Sequence, residues 1–410
     1  MDFDESPEES AFRTEARAWL AANAPTSTAP GYGDRRHLEH AKAWQAILAD
    51  AGWACITWPV TYGGRGGTGT EASIFAEEQA ALGITVGAFA VGIGMAGPTI
   101  IAHGTPDQKE RFLRPLLRGE EVWCQLFSEP GAGSDLAGLA TRAVRDGDEW
   151  VVTGQKVWTS GAHESDWGIL LARTDPDQPK HRGITYFLVD MHSPGIEIRP
   201  LRQMTGAAHF NEVFLTDVRI PHENVLGDVN GGWGVAMTTL ANERVFIGGG
   251  GTGPSFDDLV DLARELGRTD DADVRQELAA THTRLEIIRY LGLRIRTATS
   301  KGGMPGAEAS VMKLFYAGHL KRLGDLAMAI EGASGMLLGD DAPAAGAWQQ
   351  QLLSAPSIRI AGGSDEVQRN IMGERVLGLP AEPRLDKTMP WRELATVHKG
   401  PQEASVGSPA

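Results

Sequence analysis

Gln125-Leu126-Phe127-Ser128-Glu129-Pro130-Gly131-Ala132-Gly133-Ser134-Asp135 is the stretch around which the chain is organised. An apolar run with the look of a strand is stopped by Pro130; two glycines flank Ala132, and a hydroxyl and a carboxylate follow. Glycine lets a backbone approach a ligand closely, and bare N–H groups in such a turn form a concavity for an anion. The stretch therefore reads as a cradle for something large, phosphate-bearing and partly planar. Read alone, it is also open to being a proline-glycine turn capped by Ser134 and Asp135.

Around the cradle the hydrophobic period changes twice. Upstream, Ser6-Pro7-Glu8-Glu9 is a helix start: a hydroxyl cap, proline at the first helical position and glutamate three residues after the cap. Phe12, Ala16, Trp19 and Leu20 repeat at helical spacing, as do Ala43, Trp44, Ile47, Leu48 and Ala51. Thr70 to Leu82, the glycine-broken segment Val86 to Ile101, and Asp107 to Leu117 read as further helices. From Trp123 the runs are short and β-rich, at Trp150 to Val152, Trp167 to Ala172, Ile184 to Val189 and Phe210 to Val218, with turn signals between them. No helices separate these strands, which disfavours a doubly wound parallel sheet and points to a small barrel or sandwich. From Gly231 helical period returns, and three long stripes imply a bundle. The expected architecture is mainly α with a central β domain. It comprises a helical N-terminal domain over 1–122, a β-barrel over 123–230, a C-terminal four-helix bundle over 231–380 and a loose polar tail over 381–410.

Composition narrows the function. With 410 residues, of which 42% are hydrophobic, the chain has enough for several real cores. A net charge of -15 with no Lys/Arg block argues against nucleic acid and against anionic lipid. No run is long and apolar enough to span a bilayer. The two cysteines, Cys55 and Cys124, are far apart and lack metal-ligand spacing, so neither a disulfide framework nor a zinc site is expected. His37 and His40 lack a carboxylate cluster, and His163 and His209 read as surface or packing residues, so no metal is expected. The acidic N-terminus has no apolar core or Arg-rich pattern of a leader, and a cytoplasmic location is the expectation.

A second signature follows the first: Gly154-Gln155-Lys156-Val157-Trp158-Thr159-Ser160-Gly161-Ala162. An indole is suited to stack over an extended aromatic ligand, and a hydroxyl to bond a ring nitrogen or oxygen. A strand with a core tryptophan explains it equally well in isolation. Phe127 to Asp135, this second motif, and Val367-Gln368-Arg369-Asn370 in register together resemble the acyl-CoA dehydrogenase family of flavoproteins, from about Pro7 to Pro380.

The resemblance implies FAD between the strand domain and the C-terminal helices. Phe127 and Ser128 would contact the flavin edge and Ser134 the pyrophosphate side and the substrate. Trp158 would cover the ring, Ser160 would reach N5 or O4, and Ser364 and Glu366 would touch the dinucleotide. It also implies α,β-dehydrogenation of an acyl-CoA, with an α-proton taken by a carboxylate and a β-hydride passed to flavin N5. A flavin ribitol hydroxyl and a main-chain N–H would polarise the thioester carbonyl. Electrons would go on to an electron-transfer flavoprotein. A homodimer or homotetramer is implied, with a heteromer as the alternative.

The base departs from the commonest family pattern. Many members carry Glu in a Tyr-Glu-Gly-Thr stretch; here Ala361-Gly362-Gly363-Ser364 puts Gly362 there. Other branches place the base in Leu-x-x-Glu-Arg on the first long C-terminal helix, and Leu240-Ala241-Asn242-Glu243-Arg244 matches, so Glu243 is the expected base. Thr239, Leu240, Phe246 and Ile247, three or four residues away, offer it no salt bridge on its own helix face. Arg244 falls about 100° around the helix and is expected to bind substrate or structure.

Gly248 to Gly253 satisfies GxGxxG after the strand-like Val245-Phe246-Ile247, but a Rossmann unit needs further parallel strands that the following helical period does not provide. Room for a bulky or branched acyl chain is the preferred reading of those glycines. The family's Arg-x-x-Phe turn, which holds FAD across a dimer, is missing from Arg264-Glu265-Leu266-Gly267-Arg268-Thr269-Asp270. Two other functions stay open: a flavin oxidase or monooxygenase on the same fold, and a non-catalytic partner subunit of a heteromeric dehydrogenase.

Overall fold

The computed structural model describes residues 5–25, 35–84, 87–247, 253–300, 308–381 and 385–397. The N-terminal helices are α1 (Pro7–Asn23), α2 (Arg35–Asp50), α3 (Gly69–Ala80), α4 (Gly97–His103) and α5 (Pro106–Leu117). Ser6 caps α1 in a reciprocal box with Glu9, as its sequence predicts. The buried stripe Phe12, Ala16 and Leu20 packs on Trp44, Trp53, Ile74 and Phe75, with Trp53 stacked 4.8 Å from Phe75. The glycine-broken segment before His103 is not one helix. It runs as a short 3-10 turn at Gly87–Phe89 and a π turn at Gly92–Ala96 before α4, whose first turn contains Pro98.

The middle domain is a seven-stranded sheet: β1 (Trp123–Leu126), β2 (Arg142–Asp146), β3 (Glu149–Ser160), β4 (Trp167–Arg173), β5 (Ile184–Asp190), β6 (Ile196–Leu201) and β7 (Phe210–Pro221). The strands run β1-β4-β2-β3-β7-β6, with β5 along the other side of β4; all pairings are antiparallel except those of β4 with β1 and β2. Strand alternation sorts β1 onto two cores. Cys124 and Leu126 face the interior of the sheet with Leu170 and Phe187, whereas Trp123 and Phe127 face a second core shared with both helical domains. Both cysteines are free, and burial pushes the Cys124 thiol up to about 12, so it stays protonated.

The C-terminal helices are α6 (Gly232–Ile247), α7 (Phe256–Glu265), α8 (Ala272–Ser300), α9 (Glu308–Glu331), α10 (Ala347–Ile358) and α11 (Asp365–Ile371). Leu259, Leu262, Leu323, Leu326, Ile330 and Trp348 form their core. The strand-like Val245-Phe246-Ile247 is the end of α6, while Gly248 to Thr252 lie outside the described residues. Gly232 lets α6 start directly on β5: a Cβ there would fall 2.5 Å from the Tyr186 nitrogen.

The tail over 381–410 corrects the expectation of a loose segment in its described part. A 3-10 turn at Leu385–Lys387 and a further helix, α12 (Trp391–Val397), sit on the strand domain. Trp391 donates its backbone N–H to Gln178 and its indole N–H to the Gly138 carbonyl, and Arg173 lies 4.8 Å from its ring. The signal missed was a single tryptophan in polar, aperiodic sequence. No helix among the described residues is long and apolar enough to cross a membrane.

Candidate active site

Two signatures distant in sequence are tied into one surface. Val157 donates its N–H to the Ser128 carbonyl at 2.9 Å, and the Lys156 ammonium reaches the Phe127 carbonyl at 3.1 Å. Phe127, Ser128, Trp158 and Ser160 thus share the junction between the end of β1 and the end of β3, and Ser134 is exposed on the glycine loop beyond.

Trp158 is shaped for this place. A register shift between Lys156 and Thr159 frees it from the ladder with β7, and its backbone is left-handed at φ 63. The indole is 61% exposed. A bulky residue in that conformation costs about 1–3 kcal/mol, and its ring meets Phe210 edge-on at 6.3 Å.

Beneath the surface lies a pair that sequence reading passed over. Lys156, fully buried, donates to Glu129 Oε1 at 2.8 Å, and Glu129 also accepts from the Ala140 and Thr141 N–H groups. Burial works to raise the Glu129 carboxyl, but the Lys156 charge and these hydrogen bonds outweigh it and hold it below its ordinary range. Glu129 stands in the first signature and Lys156 in the second, so a charged pair bridging two apolar-flanked motifs was the available signal.

Glu243 is half-buried on α6, and Gln125 Nε2 donates to its Oε2 at 3.3 Å. One turn earlier on α6, Thr239 bonds both Tyr186 of β5 and Thr99 of α4, each at 3.0 Å, and Thr238 bonds His103 at 2.8 Å. Tyr186 in turn packs edge-on against Phe127 at 5.8 Å. The carboxylate is therefore joined through β1 to the same loop that carries Phe127 and Ser128. Arg244 lies in α6, but its side chain is outside the described part.

Ser364 and Glu366 do not join this group by direct contact. Ser364 caps α11 by accepting from Val367, and exposed Glu366 pairs with Arg369 on the same helix. Neighbours hold the preceding turn: buried Gln368 donates to the Gly362 and Gly363 carbonyls, Lys313 donates to Gly363, and buried Asp365 pairs with Arg359. Gly362, with φ 64, adopts the left-handed backbone that glycine favours. Asp365 Oδ1 and Gln368 Oε1 are buried without a hydrogen-bond partner, acceptors that suit a donor-bearing ligand. Where the family's Arg-x-x-Phe is missing, Arg268 pairs with Asp271 and donates to Ile330, all within the chain. No cluster of metal-binding side chains occurs among the described residues.

The sequence matches the acyl-CoA dehydrogenase N-terminal domain over residues 6–120, the middle domain over 124–218 and the C-terminal domain over 230–377. The chain belongs to the acyl-CoA dehydrogenase family. It is 43% identical over 383 residues to the acyl-CoA dehydrogenase IpdE1 of Mycobacterium tuberculosis, covering 90% of this chain and 98% of that one. Among solved structures it resembles the Tcur3481-Tcur3483 steroid ACAD (TM-score 0.82, 32% identity, 93% of this chain and 100% of that one). It also resembles the ChsE4-ChsE5 complex from Mycobacterium tuberculosis (TM-score 0.77, 31% identity, 93% and 100%). Acyl-CoA dehydrogenases are FAD-dependent, and the seat fits that group: an exposed indole held off the sheet, an exposed hydroxyl at Ser160, and a glycine loop whose N–H groups suit a pyrophosphate.

Proposed function

We propose that this acyl-CoA dehydrogenase uses Glu243 as the base that removes the α-proton of an acyl thioester. What carries the reading is the position of its carboxylate, against Gln125 and thus two residues from Phe127 at the cofactor loop. Bound FAD supplies the hydride acceptor. Phe127, Ser128, Trp158 and Ser160 orient the ring, and Ser134 serves the pyrophosphate and substrate side. Ser364 is assigned to offer a hydroxyl, and Glu366 a carboxylate acceptor, to the dinucleotide. Arg244 is assigned to substrate binding. A carboxylate held in place by a neighbouring amide is suited to take up the α-proton. Electron-transfer flavoprotein is the proposed acceptor.

A bulky acyl group is the proposed substrate class. Gly362 stands where other members carry a carboxylate, and the chain resembles a steroid ACAD in structure. A heteromer with a second acyl-CoA dehydrogenase subunit is favoured over a homo-oligomer. The ChsE4-ChsE5 structure that the chain resembles is a complex, the Arg-x-x-Phe turn is missing, and Leu338, Ile360, Leu377 and Leu379 of the C-terminal part are exposed.

The deciding experiment is anaerobic titration with butyryl-, isobutyryl-, octanoyl- and cyclohexanecarbonyl-CoA and a steroid side-chain acyl-CoA, watching flavin bleaching, in wild type and Glu243→Gln. Bleaching by bulky thioesters that Glu243→Gln abolishes supports the reading. Bleaching retained in Glu243→Gln removes the base assignment, and oxygen consumption without an acceptor favours an oxidase.

A further inference from the structure

The face of β1 that meets the helices reads Trp123, Gln125, Phe127: two buried aromatics with an amide between them. An amide in such a position is costly unless it finds a partner. On α6 the partner is Glu243, whose Oε2 accepts from Gln125 Nε2 at 3.3 Å.

We infer that Gln125 is a positioning residue for the Glu243 carboxylate, fixing it against the cofactor loop from across the domain interface. The inference rests on Glu243 being the base. α6 is already pinned one turn away, where Thr239 bonds Tyr186 and Thr99. Those bonds fix the helix, but a glutamate side chain retains several torsions beyond it. Gln125 removes that freedom at the carboxylate itself, and it does so from the strand that continues into Phe127 and Ser128. Distance between the base and the cofactor seat is then set by two residues of one extended strand.

Three variants test it: Gln125→Leu, which keeps the bulk and removes the donor; Gln125→Glu, which keeps the shape and replaces the donor with a carboxyl; and Glu243→Gln. The probe is whichever thioester of the panel above bleaches wild-type flavin fastest. With Gln125→Leu the limiting rate of bleaching is expected to fall about tenfold or more, with thioester binding and FAD content unchanged. Gln125→Glu is expected to be at least as impaired. A wild-type rate in both variants overturns the inference, as does parallel loss of FAD, thioester binding and rate in both, which marks a structural residue. A second readout needs neither cofactor nor turnover. In the apoprotein, the unfolding midpoints of Gln125→Leu, Glu243→Gln and the double variant are expected to be non-additive, since the two side chains touch. Strict additivity overturns the contact. If Glu243→Gln retains bleaching, the base assignment itself has failed; if it abolishes bleaching while Gln125→Leu is wild type, only the role of Gln125 falls.

Discussion

Lys156 Nζ, with no exposed surface, lies 2.8 Å from Glu129 Oε1 and 3.1 Å from the Phe127 carbonyl. One ammonium thus fastens the first signature of the sequence to the second, from below the surface on which both present their side chains. Its environment makes the pair asymmetric. Glu129 has two backbone N–H donors besides Lys156, whereas the ammonium depends on Glu129 for its counter-charge.

Lys156→Met is therefore expected to destabilise the protein by about 3–5 kcal/mol, the range for a buried charge left without its partner. Glu129→Gln, which keeps shape and part of the hydrogen bonding, also strands the ammonium and is expected to fall within the same range rather than be neutral. Denaturant unfolding of the apoprotein measures both. Losses below about 1 kcal/mol, typical of surface pairs, would show that the bridge does not hold the two motifs together.

Trp158 is the opposite case, a large apolar residue whose removal costs the apoprotein little. The indole is 61% exposed and the left-handed backbone is unfavourable for it. Trp158→Ala is expected to change apoprotein stability by no more than about 0.5 kcal/mol, while FAD retention after desalting falls severalfold. Trp158→Gly, free of the backbone penalty, is expected to be more stable than the alanine variant by about 1 kcal/mol. The ratio of flavin to protein absorbance, read with a thermal melt of the apoprotein, separates the two effects.

Acid stability is written into the N-terminal domain. Arg17, then Arg13, hydrogen-bonds Glu78 and joins α1 to α3, and against a burial penalty these bonds lower the Glu78 carboxyl from 4.5 to about 2. A carboxyl depressed on folding contributes stability that is complete above its unfolded value and disappears as the pH falls through its folded one. The contribution of Glu78 is thus fully present above about pH 4.5 and lost progressively towards pH 2. Thermal midpoints between pH 5 and pH 3 are expected to drop more steeply in wild type than in Glu78→Gln. Parallel curves would mean the network contributes nothing measurable.

How much of this was readable from residues alone varied with the kind of signal. The capping box at Ser6, the change of period at Trp123 and the return of helices at Gly231 are local and periodic, and the corresponding elements appear. Motifs point to Glu243 and Trp158 but not to their surroundings. Gln125 and Lys156 lie 118 and 27 residues from their acidic partners, and nothing local in a strand says that its polar member will meet a carboxylate from another element. The last stretch misled for the same reason. Its polar, aperiodic sequence has no core of its own, and its order comes from contacts with Gly138, Arg173, Gln178 and Lys180 of the strand domain.

That stretch also bears on the cofactor loop. Lys180 Nζ holds Asp135 of the first signature at 2.7 Å and Asp386 at 2.5 Å, while Trp391 accepts the Arg173 guanidinium on its ring and donates to the Gly138 carbonyl at 3.2 Å. Arg173 itself donates to the Ala137 and Leu139 carbonyls. Residues 135–139, just after the glycine turn, are thereby held from both sides. Trp391→Ala removes the ring and the indole donor together and is expected to cost about 1–3 kcal/mol. Because Lys180 and Arg173 stay in place, the sheet is expected to persist and the loss to concentrate in the loop. Faster release of FAD, followed by the rise in its fluorescence on dilution, and new proteolytic cleavage between Pro130 and Ala140 are the readouts. Lys180→Met, which removes the shared ammonium from exposed Asp135 and partly buried Asp386, is expected to act in the same direction. Flavin release and cleavage at wild-type rates in both variants would confine α12 to a packing role remote from the cofactor.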